Sequence, residues 1–181
     1  IYPDGTKILL DTLKTPYWGE DGKLIGILGI SRDITERKQA EELMAHHGKM
    51  KQILMDLAIS YINIPLSDLS ELLNHSLEEI GRFVEADRSF LFDYDFVEGT
   101  LSNTHEWCSE GIPSYMADMK RVSLTGLEDI VRHHKQGKPY AVEDVGAYPE
   151  GHAICTICDK QQTKSFILAP IMDDFGCIGF V

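Results

Sequence analysis

The stretch Gly29-Ile30-Ser31-Arg32-Asp33-Ile34-Thr35-Glu36-Arg37-Lys38-Gln39-Ala40-Glu41-Glu42 constrains the fold more than any other in the chain, because an apolar strand ends in it and a charged helix begins. Asp33 can accept from the free N–H groups of the first helical turn, and Glu36 follows three residues on, as in a capping box. The pattern predicts a helix from about Ile34 to Tyr61 that leads into a second, different module. A stiff connector between two modules can carry a mechanical signal, so the join matters more than any catalytic motif.

Before the join lies a predicted hairpin. Lys7 to Lys14 is rich in Ile, Leu and Thr, Leu24 to Ile30 is apolar, and Asp21-Gly22 supplies the positive φ of a tight turn. Two strands alone are marginal in water and leave bare edges. They must borrow packing from the helix, from a neighbouring copy or from a lattice neighbour. The helix itself carries a heptad seam, with Glu36, Leu43, Met50 and Leu57 at a and Ala40, His47, Leu54 and Tyr61 at d. Its first half is expected to form a parallel homodimer contact. Ile53 to Ile62 is expected to pack in part on its own domain, and Gly48 weakens the middle.

The second half alternates differently. Leu66, Leu69, Leu72, Leu73, Leu77, Ile80 and Val84 form an apolar stripe on a helix from Pro65 to about Val84. Ser89 to Tyr94 and Leu101 to Cys108 read as an antiparallel pair turning near Glu98-Gly99. Thr125 can cap a short helix from Gly126 to Gln136, Tyr140 to Val142 is a short strand, and His152 to Gln162 a further helix. Ser165 to Met172 and Cys177 to Val181 are expected to pair around Asp173-Asp174-Phe175-Gly176.

Composition narrows the partners. The 181 residues carry a net charge of −12 with a pI near 4.9, which disfavours nucleic acid and anionic membrane surfaces, both bound through Lys and Arg. The apolar run Leu24 to Ile30 is far too short to span a bilayer, and no signal peptide is visible. Four Cys in such a chain read as reduced, cytoplasmic thiols. The chain opens on a turn and stops inside an apolar run at Val181, which reads as a piece of a larger multidomain protein whose membrane anchor, if any, lies elsewhere.

Candidate chemistry is sparse. There is no Gly-rich phosphate loop, no Gly-x-Ser-x-Gly and no His-Glu-x-x-His, so no catalytic site is expected. Asp93 with Asp95, and Asp173 with Asp174, sit beside turns and are expected to be solvated. His46-His47 lacks the acidic residue and downstream Pro of a phospho-acceptor site. His152, Cys155 and Cys158 drift along one side of a helix at metal-like spacing, but no second Cys pair completes a zinc site, and small packing residues are the simpler reading; no metal is assigned. His133-His134 read as exposed residues near a helix C-terminus. By period two, Leu101, Asn103, His105 and Trp107 share one strand face, and Ser102, Thr104, Glu106 and Cys108 the other. Trp107 with His105 suits a small planar or polar ligand, or else Trp107 fills the core beside a satisfied His105.

Two resemblances are carried by these residues. Asp4-Gly5-Thr6, the turn Tyr17-Trp18-Gly19-Glu20-Asp21-Gly22, the strand Leu24 to Ile30 and Asp33-Ile34-Thr35 resemble the last two strands of a PAS domain with its PAC motif. From about residue 50 onward the chain resembles a GAF domain. The matching pieces are Val84-Glu85-Ala86-Asp87-Arg88 before a Phe-rich strand, Ser102 to Cys108, Gly137-Lys138-Pro139-Tyr140 with Glu143-Asp144-Val145, and Lys164 to Ile171. The resemblance implies an α+β fold: an antiparallel β-sheet with a helical bundle on one face, preceded by a β-hairpin and a long linker helix. It implies three segments: 1–34 the PAS fragment, 35–62 a signalling helix, 63–181 a C-terminally truncated GAF domain. It also implies a sensory input module of a histidine kinase or diguanylate cyclase parent, with the output domain in the same chain. In GAF domains one sheet face packs on helices and the other is roofed by loops into a pocket; spacing leaves open which is which here. The candidate ligand-binding residues are Phe92, Thr104, His105, Trp107, Tyr115 and Met119, with residues 109–125 draped over the sheet as a roof. The Asn-Lys-Phe-Asp-Glu signature of cyclic-nucleotide GAF domains is missing, no Cys stands in a bilin-attachment context, and the ligand and any cofactor stay unidentified. The alternative is a ligand-free adaptor that only dimerises and relays.

Overall fold

The computed structural model describes residues 7–181, so the Asp4-Gly5-Thr6 piece of the PAS-like match lies outside the described residues. The chain divides into two units, 1–55 and 56–181.

In the first unit, β1 (Leu10–Trp18) and β2 (Leu24–Asp33) pair antiparallel from Leu10↔Asp33 to Trp18↔Leu24. Gly22 holds the turn with φ +73°, and Asp21 Oδ1 accepts from the Lys23 N–H at 3.1 Å. Leu13, Ile25, Ile27 and Ile30 are all exposed, so the described part of the hairpin encloses no core of its own. At the join, Asp33 Oδ1 accepts from the Thr35 N–H at 2.9 Å and from the Thr35 hydroxyl at 2.6 Å, which hold its carboxyl below the usual range. The Ile34 N–H returns to the Leu9 carbonyl, and the Lys38 N–H to that of Ile34, opening α1 (Thr35–Ser60). Arg37 and Lys38 pair with Glu41 on its exposed surface, contacts worth little in water. Leu43, Met50 and Leu54 of the seam are exposed.

The second unit begins with the last turn of α1, where Leu57 is buried and the Tyr61 hydroxyl meets Ser76 Oγ at 2.9 Å. A 3₁₀ turn at Leu66–Asp68 precedes α2 (Leu69–Phe83). The stripe is shorter than its spacing predicts. Leu66 and Val84 are exposed, because the first lies in the 3₁₀ turn and the second caps the helix, off its apolar face. The main sheet has the order β5-β4-β3-β9-β8, from β3 (Arg88–Asp95), β4 (Thr100–Cys108), β5 (Val122–Ser123), β8 (Pro170–Asp173) and β9 (Gly176–Phe180). Gly179 is needed in β9, since a Cβ there would run into the Phe92 carbonyl oxygen. α2 packs on β3 and β4. A Cβ on Gly81 would lie 2.5 Å from the Trp107 ring, so the glycine lets the indole approach the helix backbone closely.

Opposite α2 lie α3 (Glu128–Lys135), α4 (Ala153–Gln161) and a two-stranded sheet of β6 (Tyr140–Val142) and β7 (Phe166–Leu168). The expected strand Ser165 to Met172 is thus split at Ala169, with its halves in different sheets. Thr125 does not cap α3; Glu128 Oε1 instead accepts from the Gly126 N–H at 2.9 Å. The fold is the expected α+β class: an antiparallel sheet with helices on its face, after a hairpin and a long helix.

Candidate functional site

The strand β4 contains one extra residue. Leu91 pairs with His105, but Phe92 pairs with Asn103, so Thr104 bulges and the alternation reverses across it. The face predicted from strict period two therefore does not exist. Leu101 and Asn103 lie on the side of Phe90, Phe92 and Tyr94; His105 and Trp107 lie on the side of α2. His105 Nε2 meets Ser70 Oγ at 3.0 Å, and Arg82 lies over the Trp107 ring at 5.9 Å.

The other face bounds a cavity of ≈ 90 Å³. Its floor is Phe90, Phe92 and Tyr94 of β3, Leu101 of β4 and Phe180 of β9; its roof is Leu127 at the N-cap of α3, Ile130 of α3, Ile154, Ile157, Cys158 and Gln161 of α4, and Met119. Phe92 and Phe180 stack at 5.1 Å, with Phe90 edge-on to Phe92 at 5.2 Å. Burial pushes the Cys158 thiol up to about 11, so it stays protonated and apolar in character. The Tyr94 hydroxyl lies 2.8 Å from Nδ1 of His134. Burial lowers the His134 pKa and raises that of Tyr94, so the hydrogen bond joins a neutral phenol and a neutral imidazole. His134 has no exposed surface, against the expectation of an exposed residue: it stands one turn after Ile130 on the buried stripe of α3.

The roof is pinned from one corner. Arg88 Nε lies 3.3 Å from Glu106 Oε1, both side chains nearly sealed from solvent. Arg88 also donates to Gln161 Oε1 at 3.0 Å and to the Pro113 carbonyl at 2.8 Å, with the Tyr115 ring 5.0 Å away. Glu106 Oε2 accepts from the Tyr115 and Met116 N–H groups at 3.1 and 3.2 Å and from the Ser114 hydroxyl. The Asn103 N–H donates to the Met119 carbonyl at 2.8 Å. Residues 109–121 are thereby draped over the sheet.

A second cavity, ≈ 170 Å³, shares Leu127, Ile130 and Ile154 with the first. Tyr140 and Tyr148 meet there through their hydroxyls at 2.9 Å, and this bond with burial pushes the Tyr140 phenol up to about 12.

Of the six residues singled out in the sequence, Phe92 and Met119 line the first cavity. Tyr115 lies beneath Arg88, Thr104 forms the bulge with its hydroxyl donating to the Leu91 carbonyl at 3.3 Å, and His105 and Trp107 face α2. Tyr94 and His134 escaped the sequence reading, although Tyr94 continues the Phe90, Phe92 alternation. The His152, Cys155, Cys158 series does not converge. His152 Nδ1 accepts from the Ile154 N–H as the cap of α4, Cys155 Sγ is directed at the Val145 carbonyl, and Cys158 lines the cavity. Among the described residues no cluster of three or more His, Cys, Asp or Glu is placed to hold a metal ion. No helix among the described residues is long and apolar enough to cross a membrane.

A family model described as GAF domain matches residues 68–181. The methanogenesis regulatory histidine kinase FilI of Methanothrix harundinacea (strain 6Ac) is 26% identical over 186 residues, covering 97% of this chain; the chain spans 20% of that relative's length. Among solved structures, the blue-light absorbing form of the Thermosynechococcus elongatus PixJ GAF domain superposes with a TM-score of 0.54 at 16% identity, covering 65% of this chain and 70% of that one. The GAF domain of a phosphoenolpyruvate-protein phosphotransferase from Coxiella burnetii does so with 0.52 at 19% identity, covering 76% and 75%.

Proposed function

This chain belongs to the GAF domain family, and on that premise we propose that it is the sensory input module of a signal-transduction protein, holding a small molecule in the cavity between the main sheet and α3 and α4. Residues 1–34 are the PAC end of a PAS domain, 35–62 a signalling helix that dimerises, and 63–181 the GAF domain. The output domain, a histidine kinase by analogy with FilI, lies in the same parent chain and supplies the catalysis.

The observation that carries the reading is the cavity itself: four Phe rings, Phe90, Phe92, Phe166 and Phe180, line it and yet leave it open. A module that only transmitted force would gain stability from closing it. Of the candidate residues, Phe92 and Met119 are assigned to the ligand; His105 and Trp107 are assigned to packing against α2. Thermal melts of the 181-residue chain over a metabolite panel test this. A ligand at a hundred times its Kd adds about 2.7 kcal/mol and raises the melting temperature by several degrees. A panel that shifts nothing, with a dimer intact by sedimentation, leaves the ligand-free adaptor as the function.

A further inference from the structure

We propose that the ligand of this cavity is a small, uncharged, largely apolar molecule carrying one hydrogen-bond donor, an alcohol or phenol of no more than about benzene's size, anchored on the Tyr94 hydroxyl. The proposal rests on the sensory reading above and names the chemical class it requires.

Charge is excluded first. Among the described residues no Lys, Arg, Asp or Glu side chain lines the cavity. An anion such as a cyclic nucleotide would be desolvated there without a counter-charge, a cost of several kcal/mol. Two cations lie near it outside the lining: Arg88 is already committed to Glu106, Gln161 and the Pro113 carbonyl, and Lys120 donates to the Asn103 carbonyl. The Arg88 guanidinium is held at the roof's corner, so it does not serve as an anion clamp for the cavity.

Size is set next. A dry apolar cavity of about 150 Å³ takes up benzene in another protein. At ≈ 90 Å³ this one admits a smaller body as it stands, and a benzene-sized one after modest yielding of its walls. Met119, unbranched and adaptable, supplies that yield in the roof.

Two side-chain hydroxyls line the cavity, those of Tyr94 and Thr163, and the proposal takes Tyr94, whose ring lies 5.4 Å from that of Phe180 in the floor, as the anchor. The proposal takes the phenol O–H as the donor to His134 Nδ1, 2.8 Å away, which leaves the phenol oxygen free to accept from a ligand. His134 is neutral and fully buried, so the anchor presents an acceptor without a charge, which favours a neutral donor over an ammonium. Gln161 is drawn toward Arg88, and the buried Cys158 thiol is a weak partner.

The test titrates benzene, phenol, cyclic AMP and cyclic GMP into the 181-residue chain, following the methyl resonances of Ile130, Ile154 and Leu168 and the melting temperature. The expected result is binding of both benzene and phenol at these methyls, with phenol about tenfold tighter, and no response to either nucleotide. Tyr94→Phe should bring phenol to parity with benzene while benzene binding persists. Because the comparison is internal to each variant, a general loss of stability does not mimic it. Nucleotide binding at these methyls would overturn the ligand class and leave the sensory reading standing. An unchanged preference for phenol in Tyr94→Phe would overturn the anchor. Methyls that answer no probe would overturn this proposal, and only together with a silent metabolite panel would the sensory reading fall as well.

Discussion

The Tyr94 hydroxyl sits 2.8 Å from Nδ1 of a His134 that has no exposed surface, which makes a neutral imidazole part of the folded state. Burial lowers the His134 pKa from its ordinary 6.5, with His133 adding to the effect. The unfolded chain therefore binds a proton at higher pH than the folded one. The stability this histidine contributes is complete above about pH 6.5 and is lost as pH falls below it, toward the depressed folded pKa. The melting temperature of the wild type should thus drop as pH falls below about 6.5, and His134→Gln should flatten that part of the profile. Equal slopes for the two proteins would place the titrating group elsewhere.

Two helix glycines should respond to alanine with opposite signs. At Gly81 a Cβ would stand 2.5 and 2.6 Å from ring carbons of Trp107. The indole would have to move, and Gly81→Ala should cost about 1–3 kcal/mol despite the better helix propensity of Ala. At Gly48, inside α1, nothing lies within 4 Å of the added carbon. Gly48→Ala should stabilise the helix by about 0.5–1 kcal/mol. Thermal melts of the two variants decide it, and a stabilised Gly81→Ala would contradict the Trp107 packing.

Where structure is dictated locally, the sequence is readable. The Asp21-Gly22 turn, the Asp33 contact that opens α1 and the α2 stripe all depend on neighbours a few residues away, and the β3–β4 pair is a hairpin between strands adjacent in sequence. The site was less legible because one inserted residue, Thr104, reverses the faces of β4 and sends His105 and Trp107 to the α2 side. No propensity marks that bulge, which depends on pairing with β3. His134 was recoverable, since it repeats the Ile130 position one turn on. Arg88 and Glu106 were not: eighteen residues and a hairpin separate them, and only the sheet register brings them together.

That pair makes a third prediction. Arg88 and Glu106 are nearly sealed from solvent, and Glu106 also holds the backbone of residues 115 and 116. Arg88→Met strands a buried carboxylate and should destabilise by about 3–5 kcal/mol. Adding Glu106→Leu removes the stranded charge and should recover part of the loss, leaving the cost of the released roof backbone. Urea unfolding of the two singles and the double variant forms the cycle. Strictly additive losses would show that the two side chains are not coupled.

The long helix α1 gives the fourth. Leu43, Met50 and Leu54 recur at the a and d positions of the heptad seam in α1 and are exposed in the single chain, so the dimer proposed above would bury them. The wild type should sediment as a homodimer. Leu43→Asp with Leu54→Asp places four carboxylates in the dimer seam and should weaken association by more than about a hundredfold. The single-chain fold should be unharmed, because both positions are solvated in it and neither belongs to the core of residues 56–181. Circular dichroism of the double variant should therefore match the wild type while its sedimentation halves in mass. A version starting at Thr35 should behave as the wild type does in both measurements, since the described hairpin encloses no core for the second unit to lose. A monomeric wild type would end the dimeric-relay reading, and a truncation that unfolds cooperatively would move the domain boundary upstream of Thr35.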